Sequence, residues 1–76
     1  MKTTKSAERT ENILTVKDSK EKTISINLDN VDWWREDDDD SIEIHMKNSN
    51  FSLWVKISEE SFRKFYLNYK KELKNN

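Results

Sequence analysis

Residues 41–58, Ser-Ile-Glu-Ile-His-Met-Lys-Asn-Ser-Asn-Phe-Ser-Leu-Trp-Val-Lys-Ile-Ser, constrain this chain more than any other stretch. Ile42, Ile44 and Met46 alternate with polar residues, and Phe51, Leu53, Val55 and Ile57 do the same. A period of two sends successive side chains to opposite faces, so each run specifies a strand with one buried face. Aligning the apolar sets places Met46 opposite Phe51, Ile44 opposite Leu53 and Ile42 opposite Val55, with all six on one face. That register leaves Asn48-Ser49 as a two-residue turn, where Asn tolerates a positive φ. A slip by one residue would set apolar against polar positions, so the pattern specifies its own pairing.

The flanking segments extend this hairpin. Ile13, Leu14 and Val16 form a short strand, and Ile24, Ile26 and Leu28 alternate with Thr23, Ser25 and Asn27 to form another. Setting Val16 opposite Ile24 and Leu14 opposite Ile26 leaves Ser19-Lys20-Glu21 as a three-residue loop. Such loops favour a left-handed residue, usually Gly, and this chain has neither Gly nor Pro. At Asp29-Asn30 the alternation changes phase, which requires a turn or a bulge before Val31, Trp33 and Trp34. On an extended segment, two adjacent tryptophans point to opposite sides. Glu36, Asp37, Asp38, Asp39 and Asp40 repel one another and hold water, so they are expected to form a loop.

A helix follows. Ser58 is a suitable N-cap, and Glu59 and Glu60 suit the positive end of the helix dipole. Phe62, Phe65, Tyr66, Tyr69 and Leu73 fall on one helical stripe, and Leu67 lies off it. Residues 1–10 carry Lys2, Lys5 and Arg9 without an apolar period and are expected to form a mobile tail. The fold class that follows is α+β: a small three- to four-stranded antiparallel meander with one C-terminal helix packed on one face. Residues 11–76 form a single domain in this reading.

Composition narrows the function. Of 76 residues, 33% are hydrophobic and 38% charged, so the core is small and a partner or a second copy would add stability. Eight aromatic residues, three of them Trp, argue against a disordered chain. There is no Cys, and His45 is the one histidine, so neither a thiolate nor an imidazole-rich metal site can form. The acidic run lacks the Gly and the ligand spacing of a calcium loop. No cofactor and no metal are expected. Without glycine there is no phosphate-binding loop. No base, oriented partner and oxyanion site occur together, so no catalytic residue is assigned and the chain is expected not to be an enzyme. No apolar run reaches membrane-spanning length, which suggests a cytoplasmic protein with no membrane partner.

Charge and tryptophan supply the functional candidates. Residues 29–43 hold eight acids and one base, Arg35, for a net −7, while the rest of the chain sums to +6 and the total is −1. Trp54 falls on the polar face of its strand with Glu43, His45, Ser52 and Lys56. The partner-binding set read from the sequence is Trp34, Asp37, Asp38, Asp39, Asp40, Glu43 and Trp54, directed at a protein partner with a basic surface. Trp54 and Leu67 are the candidates for a homodimer contact. One alternative is a small nucleic-acid-binding or regulatory protein that uses Arg63, Lys64, Lys70, Lys71 and Lys74, although the neighbouring acids make nucleic acid the weaker partner. Another is a structural homo-oligomeric subunit. In size, composition and patchiness the chain is similar to the small acidic inhibitors that bacteriophages encode against host machinery, anti-CRISPR proteins among them. That likeness implies an inhibitor of a basic, nucleic-acid-binding surface and assigns no role to any residue.

Overall fold

The computed structural model describes residues 7–74. It contains six strands, β1 (Ala7–Thr10), β2 (Ile13–Lys17), β3 (Thr23–Asn27), β4 (Val31–Asp38), β5 (Ser41–Met46) and β6 (Ser52–Val55), followed by one helix, α1 (Glu59–Lys74). The strands form two antiparallel meanders of three strands each, ordered β1-β2-β3 and β4-β5-β6. The α+β class with a C-terminal helix is as read from the sequence.

In the first sheet Val16 pairs with Ile24 and Leu14 with Ile26, as the alternation requires. The loop between β2 and β3 is the expected three-residue one, closed by Asp18 N donating to Lys22 O at 2.8 Å and Glu21 N to Asp18 O at 3.0 Å. Its left-handed position is filled by Glu21, at φ 69°. The Asp18 carboxylate supports that geometry by accepting from the backbone N–H groups of Lys20 and Lys22, both at 2.9 Å. An Asx-type turn thus replaces the missing glycine.

Ala7–Thr10, read from the sequence as the end of a mobile tail, is instead β1, with Ala7 opposite Val16 and Arg9 opposite Leu14. Only Ala7 is apolar here, so no alternation marks the strand. Backbone pairing and Arg9 hold it: the guanidinium donates to Glu72 at 2.6 Å and lies over the Tyr69 ring at 5.8 Å. The remainder of that tail, residues 1–6, lies outside the described residues.

The phase change at Asp29-Asn30 is taken up by a 3-10 turn, Leu28–Asn30, whose N-terminal Asn27 side chain accepts from Asp29 N at 2.9 Å. A bulge between Val31 and Trp33 adds a second irregularity in β4. Ile42 pairs with Val55 and Ile44 with Leu53, as aligned. The expected Met46–Phe51 pair does not form. Met46 pairs with Val31 of β4, β6 begins at Ser52, and Phe51 is 74% exposed. The turn is not centred on Asn48-Ser49: Ser49 N donates to Met46 O at 3.3 Å. The Ser49 hydroxyl then donates to Phe51 O at 2.8 Å and accepts from Phe51 N at 3.1 Å, a local alternative to the ladder. The acidic run is also not wholly a loop. Glu36 and Asp38 pair with Ile42 and Ser41, and Asp39 and Asp40 form the turn. As an edge strand, β4 keeps these carboxylates in water, so repulsion does not prevent pairing.

The two sheets meet where Asp18 bridges Val55, flanked by Ser19 N to Trp54 O at 3.0 Å and Lys56 N to Lys17 O at 2.8 Å. Their inner faces share one core, in which Leu14, Ile26, Ile42, Ile44, Val55 and Phe62 are fully buried. Ser58 caps α1 by accepting from Ser61 N at 3.2 Å. Phe62 and Tyr69 are buried, and Phe65 and Tyr66 are half-buried. Leu73, placed on the stripe by its spacing, is exposed because the last turn runs past the core.

Candidate interaction face

The helix packs on the inner side of the strands and leaves the outer face of β4-β5-β6 open. Period-two geometry brings six side chains to that face. The register arranges them in two rows, Trp33–His45–Ser52 and Arg35–Glu43–Trp54. Neighbours within a row face one another across the ladder, about 4.5–5.5 Å apart at Cβ, so each row acts as a unit. The Trp33 ring stacks on the His45 imidazole with centroids 5.1 Å apart and planes 5° from parallel. Arg35 Nε donates to Glu43 Oε1 at 2.7 Å, and its guanidinium lies over the Trp33 ring at 5.6 Å. The Arg35 hydrogen bond, with a second from Ser52, lowers the Glu43 carboxyl below its ordinary value. Asp32 Oδ2 lies 3.4 Å from His45 Nδ1, a buried atom with no hydrogen-bond partner. Trp33 and Trp54 remain 40% and 45% exposed.

The hairpin tip joining β4 and β5 rims this face. The Asp38 carboxylate accepts from Asp40 N at 2.9 Å and from Ser41 Oγ at 2.8 Å. These bonds, the one from Asp40 first, lower its pKa. Asp38 therefore closes the turn, Asp37 Oδ2 accepts from Ser41 Oγ at a longer 3.3 Å, and all four carboxylates are exposed to solvent. An open cleft runs from this tip to Ser19 and Lys56. The Lys56 ammonium is held by Glu21, which raises the lysine pKa and lowers that of the carboxylate.

Of the residues singled out in the sequence, Glu43 and Trp54 share the open face, and Asp37, Asp38, Asp39 and Asp40 form its rim. Trp34 does not belong with them. Its ring packs edge-on against Phe62 at 4.9 Å and beside Tyr66 at 5.0 Å, and its Nε1 donates to Glu59 Oε2 at 3.0 Å. Trp34 docks the helix. His45 lies there as its place on the polar face with Trp54 requires, and Trp33 and Arg35 complete the face without being assigned to it from the sequence. The bulge is the reason: Val31 faces the core, the extra residue shifts the parity, and Trp33 turns outward. Leu67 is exposed on the solvent side of α1, away from the outer sheet face, so the structure does not bring it together with Trp54.

Three of the five helix cations are engaged, and Lys71 and Lys74 are exposed. Arg63 pairs with Glu59 at 3.0 Å, Lys64 with Glu60 at 3.9 Å, and Lys70 lies over the rings of Tyr66 and Tyr69 at 5.3 and 5.8 Å. Among the described residues no group of three or more His, Asp or Glu could hold a metal ion, and no helix is long and apolar enough to cross a membrane. No family model matches the sequence, and no match is found among the curated proteins or the solved structures compared with it.

Proposed function

We propose that this chain is a non-enzymatic protein-binding module whose working surface is the outer face of β4-β5-β6 together with its acidic rim. One observation carries the reading: two tryptophans, Trp33 and Trp54, are exposed on a sheet face that the helix does not cover. Trp is enriched among the residues that dominate binding energy, because one ring removes much apolar area from water. The solvent-facing carboxylates of Asp37, Asp39 and Asp40 would steer a basic surface toward that face and speed encounter. Basic surfaces of this kind are commonly built for nucleic acid, so occupancy by this module would inhibit nucleic-acid binding by its partner. A cytoplasmic setting belongs to the same proposal, and a cysteine-free chain is compatible with it.

The test is comparative capture of host proteins on immobilised wild-type chain and on two variants, one with Trp33→Ala and Trp54→Ala, the other with Asp37, Asp39 and Asp40 changed to Asn. The proposal predicts bound proteins that are lost with the tryptophan pair and reduced with the Asn variant. The same proteins retained equally on all three would place the working surface elsewhere. Direct binding of nucleic acid through α1 is the weaker reading, because Arg63 and Lys64 are paired with Glu59 and Glu60 and Lys70 lies over two tyrosine rings, which leaves Lys71 and Lys74 of the five cations.

A further inference from the structure

We infer that the outer face of β4-β5-β6 recognises the guanidinium of an arginine on its partner, with Trp54 as the stacking surface and Glu43 as the carboxylate. This inference rests on the protein-binding reading above and names the chemistry of its contact. The chain already holds one arginine in this way: Arg35 sets its guanidinium over the Trp33 ring and its Nε against Glu43. Glu43 stands in the middle of its row, with Arg35 on one side and Trp54 directly opposite on the other. Trp54 stands directly across the ladder from Glu43, whereas Trp33 lies diagonally from it in the neighbouring row, and among the described residues no cation lies over the Trp54 ring. The Glu43 side chain is 13% exposed and already accepts from Arg35 and Ser52, so an incoming guanidinium would take a remaining lone pair of the carboxylate. Lys56, two residues further along the chain, is held by Glu21.

The chemistry favours arginine over other occupants. A guanidinium is planar and weakly hydrated, so it stacks on an indole while its edge N–H groups stay free for a carboxylate; an ammonium cannot do both. Asp32 on β4 and Asp37, Asp39 and Asp40 on the rim add negative charge, which attracts a cationic segment and repels phosphate. The charge of the face thus complements an arginine-rich protein segment and opposes a nucleic acid.

Hexa-arginine and hexa-lysine peptides, equal in charge, test the inference when titrated against the full chain at several salt concentrations. The expected result is tighter binding of hexa-arginine. Trp54→Leu keeps an apolar strand residue but removes the π face, and it should weaken hexa-arginine by about two- to fivefold and hexa-lysine less. Changing Asp37, Asp39 and Asp40 to Asn should weaken both peptides alike. Equal affinities that Trp54→Leu leaves unchanged would overturn the arginine inference while sparing the electrostatic reading. Binding of neither peptide would overturn both. Tighter binding of a single-stranded oligonucleotide than of hexa-arginine would overturn the inference in favour of nucleic acid. A dimer by sedimentation that Trp54→Leu dissociates would show that a second copy occupies the face, and would overturn it as well.

Discussion

At Trp33 and Trp34 a single backbone irregularity decides which indole is offered to solvent. That the two rings diverge follows from strand geometry and is legible in the sequence. Which one faces inward is not, because a bulge leaves no composition signal when Asp32 is the inserted residue. Trp34→Ala should therefore cost about 3 kcal/mol, at the low end for a packed aromatic. Trp54→Ala should cost roughly 1 kcal/mol or less, as for an exposed site. Urea unfolding of both variants checks this, and a larger loss at Trp54 would invert the assignment of the faces. Glu11 offers a second test at this scale. It joins β1 to β2 in the left-handed region, at φ 53°, in a chain that has no glycine. A residue with a Cβ pays about 1–2 kcal/mol there, and its side chain is exposed. Glu11→Gly should therefore raise stability by roughly 1 kcal/mol, read as a higher urea midpoint; a lower midpoint would mean that the turn is not strained.

Among the elements, β2, β3, β5, β6 and α1 were legible because each buries one face and so carries a period of two or 3.6. β1 was not, since four residues containing one alanine carry no period; its pairing depends on tertiary contacts of Arg9 with Glu72 and Tyr69. The end of β4 was hidden for the opposite reason: its carboxylates suggest a loop, while the edge position permits a strand. The helix separates its own residues clearly. Phe62→Ala should cost about 3–5 kcal/mol, because the ring is fully buried against Trp34 and Tyr66. Leu67→Ala and Leu73→Ala should each stay within about 0.5 kcal/mol, as for exposed positions. Similar losses at all three would mean that the solvent side of α1 is covered, as in a dimer that uses Leu67.

For the whole molecule, charge sets both the pH range of stability and the accessible partner. Asp18, Glu21, Asp38 and Glu43 have pKa values lowered from the ordinary 3.8 or 4.5, through bonds from Lys22, Lys56, Asp40 and Arg35 respectively. Their contributions are present above those ordinary values and are lost as the pH falls through the lower folded ones. Tyr69, whose hydroxyl donates to Asp29 at 2.7 Å, and Lys56 are raised from 10.0 and 10.5. Their contributions hold below those values and are lost as the pH rises above them. The melting temperature should be level between these limits and fall on both sides, with Tyr69→Phe lessening the alkaline fall; a rise on acidification from pH 5 to 3 would contradict this. The candidate face was only half legible at this scale: the charge separation and the face that Trp54 shares with Glu43 and His45 are plain in the sequence, whereas Trp33 and Arg35 join it only through the β4–β5 register. The most direct test of that face uses the three indole N–H resonances in a ¹H–¹⁵N spectrum of the chain titrated with hexa-arginine. The expected result is that the Trp33 and Trp54 signals move while that of Trp34, bonded to Glu59, stays in place. Movement of Trp34 with Trp33 and Trp54 unmoved, or shifts confined to α1, would contradict it.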